Sequence, residues 1–394
     1  MVYPATATIA ATMPAPEPIR VWLEPGYDHG RTGAWMLDWP GCFTWGATRE
    51  IALARVPSAV GRHALWLASF GEPAVRPASD EVAVVEEVAA ERDGAYERNA
   101  TFRADRRPVD GDELETMLRQ LDFARADLLR LVERLDAESE GATLPIEARD
   151  AAALQSGARA GRGAAEVLAH IANAEIWLAS RLDRSARYEG PGRDSELGTY
   201  LVETRRWAVD RLRGYQARDP ALEGVDGKGE SWTLAKVLRR FLYHSLDHLE
   251  ELDRRLALAT HAADRLAIRR NATLDLDDVA ELLAWSGFRR RLGDRERLRR
   301  MVEGSTETWT AWDGDRLVAF GRVLTDGAFN AYVSTVAVHP RWQDRRVGRR
   351  LMEALMEGRD DLTFILQARP GVDGFYERLG FSFTPIAMTR RRLR

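Results

Sequence analysis

The sequence of 394 residues contains one cysteine, Cys42, so no intramolecular disulfide bond can form. No base adjoins this thiol in Pro40-Gly-Cys-Phe-Thr44, which favours a buried structural residue over a nucleophile. No uncharged apolar run reaches about 18 residues, the length that indicates a membrane-spanning helix. The N-terminus has no lysine or arginine before Arg20 and contains Pro14, Pro16 and Pro18, a poor pattern for a signal peptide. We therefore expect a cytoplasmic protein with no membrane partner.

The charge balance also excludes a class of function. The net charge is −4, which argues against a general nucleic-acid binder. The basic tail Arg390–Arg394 is the local exception, and we interpret it as a solvated end. A chain of this length with 45% hydrophobic residues is expected to fold into two or three domains.

The first part of the chain, residues 18–100, predicts a small α+β layer that follows a disordered segment at 1–17. Alternating apolar residues indicate strands, and Thr48 is a suitable N-cap for a helix. Proline and glycine in Trp39–Thr48 indicate a bend. The predicted order is strand, strand, helix and strand, at Ile19–Glu24, Gly33–Asp38, Thr48–Ser69 and Glu81–Val88.

The run WPGCFTWGATREIALARV in this layer resembles the HicB-like fold. Members of that fold share a Pro-Gly-Cys-x-x-x-Gly-x-Thr segment before a helix. Members that act as antitoxins carry a separate DNA-binding segment, which this sequence does not show. We favour a packing module without chemistry, which could provide the interface of a homodimer.

Residues 108–258 predict an antiparallel four-helix bundle. Four long amphipathic segments are separated by gaps that contain glycine, proline and aspartate, and the longest uncertain connection is Glu140–Gly163. The predicted helices are Glu113–Ala137, Arg162–Leu182, Ser195–Ala217 and Ser231–Leu258.

Three of the seven histidines fall on apolar faces of these helices. His244 and His248 lie one turn apart on the fourth helix, and His170 lies on the inward face of the second. Imidazole suits zinc, nickel, iron or copper, and three protein ligands leave a position for water or a thiol. The alternative is that all three are satisfied core histidines. The pair with a third histidine on a facing helix favours the metal.

The runs AAEVLAHIANAEIWLASRL and WTLAKVLRRFLYHSLDHLEEL are similar to helices two and four of the DinB-like metal-dependent bundle family. The resemblance implies that His170, His244 and His248 bind a divalent metal, zinc or nickel. Several members of the family transfer or isomerise groups with a low-molecular-weight thiol, such as mycothiol or bacillithiol, as co-substrate. Glu175 and Asp247 flank the histidines and could simply face solvent.

A stretch near the C-terminus, Tyr332–Met352, predicts a buried strand, a turn at His339-Pro340, a basic loop and a helix from Val347. A helix N-terminus leaves backbone N–H groups unpaired and attracts phosphate. Four arginines in the same turn would strengthen the attraction. The stretch taken alone is equally consistent with an ordinary connection. The arginines are Arg345, Arg346, Arg349 and Arg350.

Residues 264–394 resemble the GNAT acyltransferase superfamily, which implies an α/β domain with a mixed central sheet. The predicted order is β-α-α-β-β-β-α-β-α-β, with a last strand at Phe381–Met388. Two runs carry the resemblance: VSTVAVHPRWQDRRVGRRLMEAL matches the acetyl-CoA site of the family, and GFYERLGF matches the end of its fourth helix.

The GNAT resemblance implies a role for each part of this site. Backbone groups of Val336, Ala337 and Val338 would pair with pantetheine, and Tyr376 would protonate the departing thiolate. The pyrophosphate would be held by the loop and helix start at Gln343, Arg345, Arg346, Val347, Gly348 and Arg349.

One position departs from the GNAT pattern. The family loop reads Gln/Arg-x-x-Gly-x-Gly/Ala, and Arg346 replaces its first glycine. The side chain could crowd the phosphate or add a contact to it, and the sequence leaves both alternatives open. No general base is identifiable.

Three functions follow, in order of preference. The first is an acetyl-CoA-dependent N-acyltransferase acting on a small-molecule or peptide amine. The second is a metal-dependent thiol S-transferase or isomerase, and the third is a non-enzymatic binding protein related to stress response or antitoxins.

Overall fold

The structure is a computed structural model that describes residues 17–73, 80–94, 96–139, 163–183, 185–192, 195–260, 262–288, 292, 294–384 and 388. The predicted basic tail lies outside these ranges, as do nearly all of the predicted disordered N-terminus and the connection after Glu140. Among the described helices, none combines the length and the apolar character needed to cross a membrane.

The first group of elements is a four-stranded sheet covered by helix α1, Arg49–Ala68. The strand order is β3-β2-β1-β4, with β4 parallel to β1 and the other neighbours antiparallel. The two predicted strands, the helix and the following strand are present, but the prediction missed β3, because proline and glycine before this strand indicated only a bend. The strands are β1 (Ile19–Gly26), β2 (Arg31–Trp35), β3 (Phe43–Gly46) and β4 (Val82–Glu87).

Local contacts explain where α1 begins. Thr48 Oγ1 accepts a hydrogen bond from the Ile51 amide at 3.3 Å, as the N-cap prediction requires. Gly46 lies against the first turn, where a Cβ would stand 2.3 Å from the Ala52 nitrogen, so only glycine fits.

Cys42 is buried, and burial raises the pKa of its thiol well above the usual range, which agrees with a structural thiol.

The second group consists of four long helices around two clusters of buried apolar side chains. Their bounds agree closely with the predicted segments. The fourth helix begins later than predicted, because strand β8 (Ser231–Thr233) pairs with β7 (Glu223–Val225). Two other short strands, β5 (Glu91–Asp93) and β6 (Tyr96–Arg98), pair with each other between the two groups. The helices are α2 (Gly111–Ser139), α3 (Ala164–Ala179), α4 (Leu197–Arg218) and α5 (Leu234–Ala259).

Buried aromatic and ionic contacts join these two groups. Trp35 of the N-terminal sheet and Tyr27, which follows β1, share an aromatic cluster with Phe102 and with Tyr243 of α5. Lys236 is fully buried, and its ammonium donates to Glu230 Oε1 at 2.8 Å and to nearby backbone carbonyls. A buried charge that is paired and fully hydrogen-bonded is tolerated in a protein interior.

The third group is a five-stranded sheet in the order β13-β12-β11-β10-β9, in which only β12 and β13 are parallel. The predicted mixed sheet is therefore confirmed. Its strands are β9 (Ala267–Arg270), β10 (Glu307–Asp313), β11 (Arg316–Thr325), β12 (Asn330–Val338) and β13 (Thr363–Leu366). Its helices are α6 (Leu276–Trp285), α7 (Arg295–Glu303), α8 (Val347–Met356) and α9 (Asp373–Glu377).

The predicted last strand, Phe381–Met388, is wrong over residues 381–384, which form no strand. The Phe381 amide instead donates to the Tyr376 carbonyl and closes the end of α9. Phe383 is 91% exposed, so the apolar alternation that suggested a strand does not correspond to a buried face here. Residues 385–387 lie outside the described part of the chain.

Candidate functional site

One edge of β12 is paired along only half of its length. β11 pairs with β12 from Ala331 to Val338, whereas β13 pairs with it only from Asn330 to Val333. The register with β11 shifts opposite Ser334, which marks a β-bulge. Beyond this bulge, the outer edge of β12 has no strand partner among the described residues.

The backbone orientation of this edge distinguishes the residues predicted to bind pantetheine. The His339 amide donates to Val318 of β11, so the backbone groups of Ala337 also face β11, and those of Val336 and Val338 face the outer edge. Ala337 is therefore not available for this pairing. The Val338 carbonyl already accepts from Gln343 Nε2 and from Ser286 Oγ, each at 3.0 Å, which leaves the Val338 amide and both backbone groups of Val336 accessible at this edge.

The strand leads into the N-terminus of α8. The first backbone hydrogen bond of this helix joins the Arg350 amide to the Arg346 carbonyl, so the three preceding amides lack a partner within the helix. Those donors belong to Val347, Gly348 and Arg349. Arg346 has φ 64° and ψ 0°, the left-handed conformation in which glycine is favoured. This conformation accounts for the glycine expected at this position.

The arginines of the loop differ in their surroundings. Arg345 forms an ion pair with Asp253 of α5, and Arg349 pairs with Glu353 in its own helix. Arg350 donates to backbone carbonyls near the start of β9. Arg346 is exposed. Arg350 also pairs with Asp264 at 3.5 Å, so three of the four arginines have carboxylate partners, and Arg346 has none among the described residues.

Residues far away in the sequence hold the same loop. Gln343 Oε1 accepts from Arg62 of α1 at 3.3 Å, and Arg341 donates to the Leu65 carbonyl at 2.8 Å. The partners of the loop thus lie on α1, and Asp253, the partner of Arg345, lies on α5. Sequence reasoning missed them, and no local signal marks them.

Tyr376 lies on α9, half-buried between Phe375 and Phe381. Burial raises the pKa of its phenol above the ordinary value, and nearby Arg369 opposes the rise only in part. Its hydroxyl makes no hydrogen bond to any of the residues that the structure describes. Tyr376 lines the same cleft as the free edge of β12, so this cleft contains a neutral proton donor.

The three predicted metal ligands are brought together by α3 and α5. The Nε2 atoms of His170 and His244 are 3.1 Å apart, and each of the three imidazoles offers a nitrogen within 4.8 Å of the others. His248 Nδ1 contacts Glu251 Oε2 at 2.8 Å, which leaves its Nε2 atom for a ligand. This geometry could hold one ion.

The two acidic residues that flank the triad have different surroundings. Glu175 is buried, and its Oε1 atom accepts from Arg125 at 2.6 Å and Arg205 at 2.5 Å, so it is part of a structural ion cluster. Asp247 lines a cleft beside His248. The structure therefore assigns Glu175 to the core of the helices.

A single cleft of about 2040 Å³ reaches both regions. It is lined by His244 and His248 at one place and by the free edge of β12, the α8 N-terminus and Tyr376 at another. Residues of the N-terminal sheet and of α1 complete its walls, among them Tyr27, Trp45 and Arg62. Sequence reasoning did not predict that the two sites share a cleft, because it depends on how distant elements pack.

Comparison with known proteins identifies the C-terminal region. Residues 277–391 match the family model of the acetyltransferase (GNAT) domain. The chloroplastic serotonin N-acetyltransferase 2 of Oryza sativa subsp. japonica is 41% identical over 135 residues, which cover 32% of this chain and 66% of the relative. The chloroplastic GCN5-related N-acetyltransferase 1 of Arabidopsis thaliana is 33% identical over 117 residues, 28% of this chain and 58% of the relative.

The chain thus spans slightly less than two thirds of the first of these relatives and about three fifths of the second. Among solved structures, a GNAT family acetyltransferase from Streptococcus pneumoniae is 23% identical, with a TM-score of 0.28, over 32% of this chain and 99% of that chain. The family model and the two sequence relatives support the GNAT resemblance. The HicB-like and DinB-like resemblances stay predictions.

Proposed function

Because residues 277–391 form a GNAT acetyltransferase domain, we propose that the protein transfers an acetyl group from acetyl-CoA to the amine of a small molecule or peptide. The observation that carries this proposal is the free outer edge of β12. It ends at the unpaired amides of α8 and shares a cleft with Tyr376. An extended arm can add to such an edge as a strand does, while an anion binds the helix N-terminus.

The residues present fit each part of this substrate. The Val336 backbone would bond the pantetheine arm, and the amides of Val347, Gly348 and Arg349 would hold the pyrophosphate. A Cβ at Gly348 would make ordinary contacts, with the Phe375 ring 3.5 Å away, so packing within the protein does not require glycine there. Glycine instead leaves the start of α8 open to the cleft.

The chemical step needs a proton donor at the leaving group. The amine nitrogen forms a bond to the acetyl carbon while the carbon–sulfur bond breaks, and the Tyr376 phenol gives its proton to the thiolate. The proton lost by the amine goes to a base that the geometry does not identify.

The test is direct. Acetyl-CoA is titrated into the protein by calorimetry, and the coenzyme A thiol released in the presence of a panel of amines is measured with a thiol reagent. Binding followed by amine-dependent thiol release supports the proposal. Absence of binding at millimolar acetyl-CoA would overturn it.

A second function is favoured by the triad. We propose that His170, His244 and His248 bind one divalent metal, zinc or nickel, in a DinB-like bundle. Zinc–nitrogen bonds of about 2.0–2.1 Å place two tetrahedral ligands roughly 3.3 Å apart, close to the 3.1 Å between His170 and His244. A bound ion would act as a Lewis acid towards a ligand such as a low-molecular-weight thiol.

The metal proposal has its own test. The metal content of protein purified without chelators is measured, and the protein is then titrated with zinc after chelation. About one equivalent of metal supports the proposal. A protein that takes up no metal and has an unchanged melting temperature would contradict it.

The third function, a binding protein related to antitoxins, rests on the HicB-like resemblance and would require a cognate partner.

A further inference from the structure

A third cluster of functional groups lies in the cleft where the N-terminal sheet meets α5. Arg240 stands one helical turn before His244, so the two side chains share a face of α5 and both line the cleft. The Nη1 atom of Arg240 is buried and has no hydrogen-bond partner among the described residues. Neither proposed function uses this arginine.

The charge of Arg240 is also unpaired. The neighbouring Arg239 pairs with Asp105 at 2.8 Å, whereas Arg240 forms no ion pair within the described residues. The two acids whose charges act on Arg240 are already committed: the oxygens of Glu24 accept from Trp35 Nε1 and the Ala100 amide, and Glu230 accepts from Lys236. A buried N–H without an acceptor is destabilising, so an acceptor from outside the protein would stabilise this arrangement.

Aromatic rings surround the guanidinium. Its central carbon lies 6.0 Å from the centre of the Tyr27 ring and 5.8 Å from that of Tyr243. The Phe43 ring stands 4.4 Å from Tyr243 and 5.2 Å from Tyr27, and all three rings line the cleft. The hydroxyls of Tyr27 and Tyr243 contact each other at 2.5 Å beside the arginine. The walls therefore suit a flat apolar group.

One acid limits the charge of the ligand. Asp247 lies on the same helix, next to His248, and lines the cleft close enough for its charge to act on the phenols of Tyr27 and Tyr243. Its carboxylate would repel a second negative charge on a ligand. A single carboxylate at Arg240 satisfies the arginine without placing further charge near Asp247.

We propose that Arg240, with the rings of Tyr27, Phe43 and Tyr243, forms a binding site for a small aromatic monocarboxylate. A guanidinium pairs with a carboxylate through two parallel hydrogen bonds, and the rings cover the apolar body. The site is built jointly by the N-terminal sheet and by the helix that carries His244 and His248. A ligand bound there would lie about one helical turn, roughly 6 Å along the axis, from His244.

The test compares two probes of the same shape. Benzoate carries a carboxylate, and benzyl alcohol has the same ring without the charge. Each is titrated by calorimetry into the full chain after metal is removed with a chelator and without acetyl-CoA, so the outcome is independent of both proposed functions. We expect benzoate to bind at least about tenfold more tightly than benzyl alcohol, as a desolvated guanidinium–carboxylate pair predicts.

Variants assign the preference to one residue. Arg240→Gln should bind the two probes equally, whereas Arg254→Gln, which alters another cleft-lining arginine on α5, should keep the preference. If Arg240→Gln does not fold, Arg240→Lys replaces it as the test variant. Lysine keeps the charge but lacks the planar pair of donors, so this variant should prefer benzoate over benzyl alcohol less strongly than the unaltered protein does. Equal affinities in the unaltered protein would overturn the proposal. A preference that survives unchanged in the folded Arg240 variants would overturn it as well.

Discussion

The acetyl-CoA region and the histidine triad are built in opposite ways. The first is almost continuous in the sequence, with its strand, loop and helix start between Asn330 and Met356. The second joins side chains 74 residues apart, on two helices that meet only in the folded protein. The first offers mainly backbone groups, whereas the second depends on three imidazoles. The two regions should therefore respond differently to substitution.

The sharpest way to test this contrast is to remove one imidazole. His244→Ala deletes one of three ligands, so the variant should lose its metal and any stabilisation by it. Zinc at about 1,000 times its Kd should stabilise the unaltered protein by about 4 kcal/mol and the variant by none. Metal content and melting temperature with and without zinc measure the effect.

A matched control is His29→Asn. His29 lies in a turn with φ 67°, a conformation that asparagine tolerates, and it is not part of the triad. It should keep the metal. Equal metal content in the His244 variant and the unaltered protein would show that the triad is a hydrogen-bonded core cluster.

In the acetyl-CoA region, the side chain proposed to take part directly in the chemistry is that of Tyr376, as the imidazoles are in the triad. Tyr376→Phe should slow acetyl transfer by about 10²–10⁴-fold, while the Kd for acetyl-CoA stays the same. Because burial raises the pKa of this phenol, its acid form persists above its ordinary pKa of about 10, and the unaltered enzyme should lose no activity through this group below that pH.

Tyr332→Phe serves as the control, because Tyr332 lines the same cleft but lies on β12. It should keep most of the activity. An equal loss in both variants, or a Tyr376 variant with full activity, would remove Tyr376 from the proposed mechanism.

The same contrast explains what the sequence could predict. The acetyl-CoA region was predictable because strand, loop and helix follow one another, so local patterns place its groups. The triad was predictable only because His244 and His248 share a helical face and His170 lies on another apolar face. What the sequence could not predict depends on contacts between distant elements: the pairing of Arg345 with Asp253, the position of Arg62 at Gln343, and the shared cleft.

The errors have the same origin. The sequence assigned Ala337 to pantetheine along with its neighbours, but the register with β11 turns its backbone towards that strand. It also continued a strand through Phe381, where the chain instead closes α9. Apolar alternation predicts which residues favour a strand, but pairing in the folded sheet decides whether a strand forms.

His339, directly after β12, contributes to stability in a way that depends on pH, because its pKa differs between the folded and unfolded chains. His339 is buried, and burial together with Arg316 and Arg341 lowers its pKa to about 4. In the unfolded chain the pKa is about 6.5, so between these values only the unfolded state binds the proton. Stability that is fully present above pH 6.5 should therefore fall as the pH drops towards 4, by up to about 3 kcal/mol.

His339→Asn isolates this contribution. Asparagine can still accept the hydrogen bond that His339 Nδ1 receives from the Arg341 amide, but it does not titrate. Denaturant unfolding at pH 7 and pH 5 should show a smaller loss of stability in the variant, by about 2 kcal/mol. A loss equal to that of the unaltered protein would mean that His339 already takes up its proton at its ordinary pKa.

The smallest expected effect concerns Arg346, where the sequence left crowding and contact as alternatives. The structure shows an exposed arginine in a left-handed conformation without a side-chain cap, which costs about 1–2 kcal/mol for a residue other than glycine. Arg346→Gly should thus raise the free energy of unfolding by about 1 kcal/mol, part of the gain being offset by the greater freedom of glycine in the unfolded chain. Because the backbone already has the conformation of glycine, the Kd for acetyl-CoA should change by less than about tenfold, or 1.4 kcal/mol.

Arg349→Ala is the control for the loss of a guanidinium in the same turn, and it should bring no stabilisation, because Arg349 lies inside α8 rather than in the left-handed conformation. Calorimetric titration then decides between the two alternatives. A gain of more than about tenfold in affinity for Arg346→Gly would mean that the side chain crowds the phosphate, and a loss of that size would mean that it contacts the phosphate. Either result would show that a side chain governs this region, and the contrast with the histidine triad would then no longer hold.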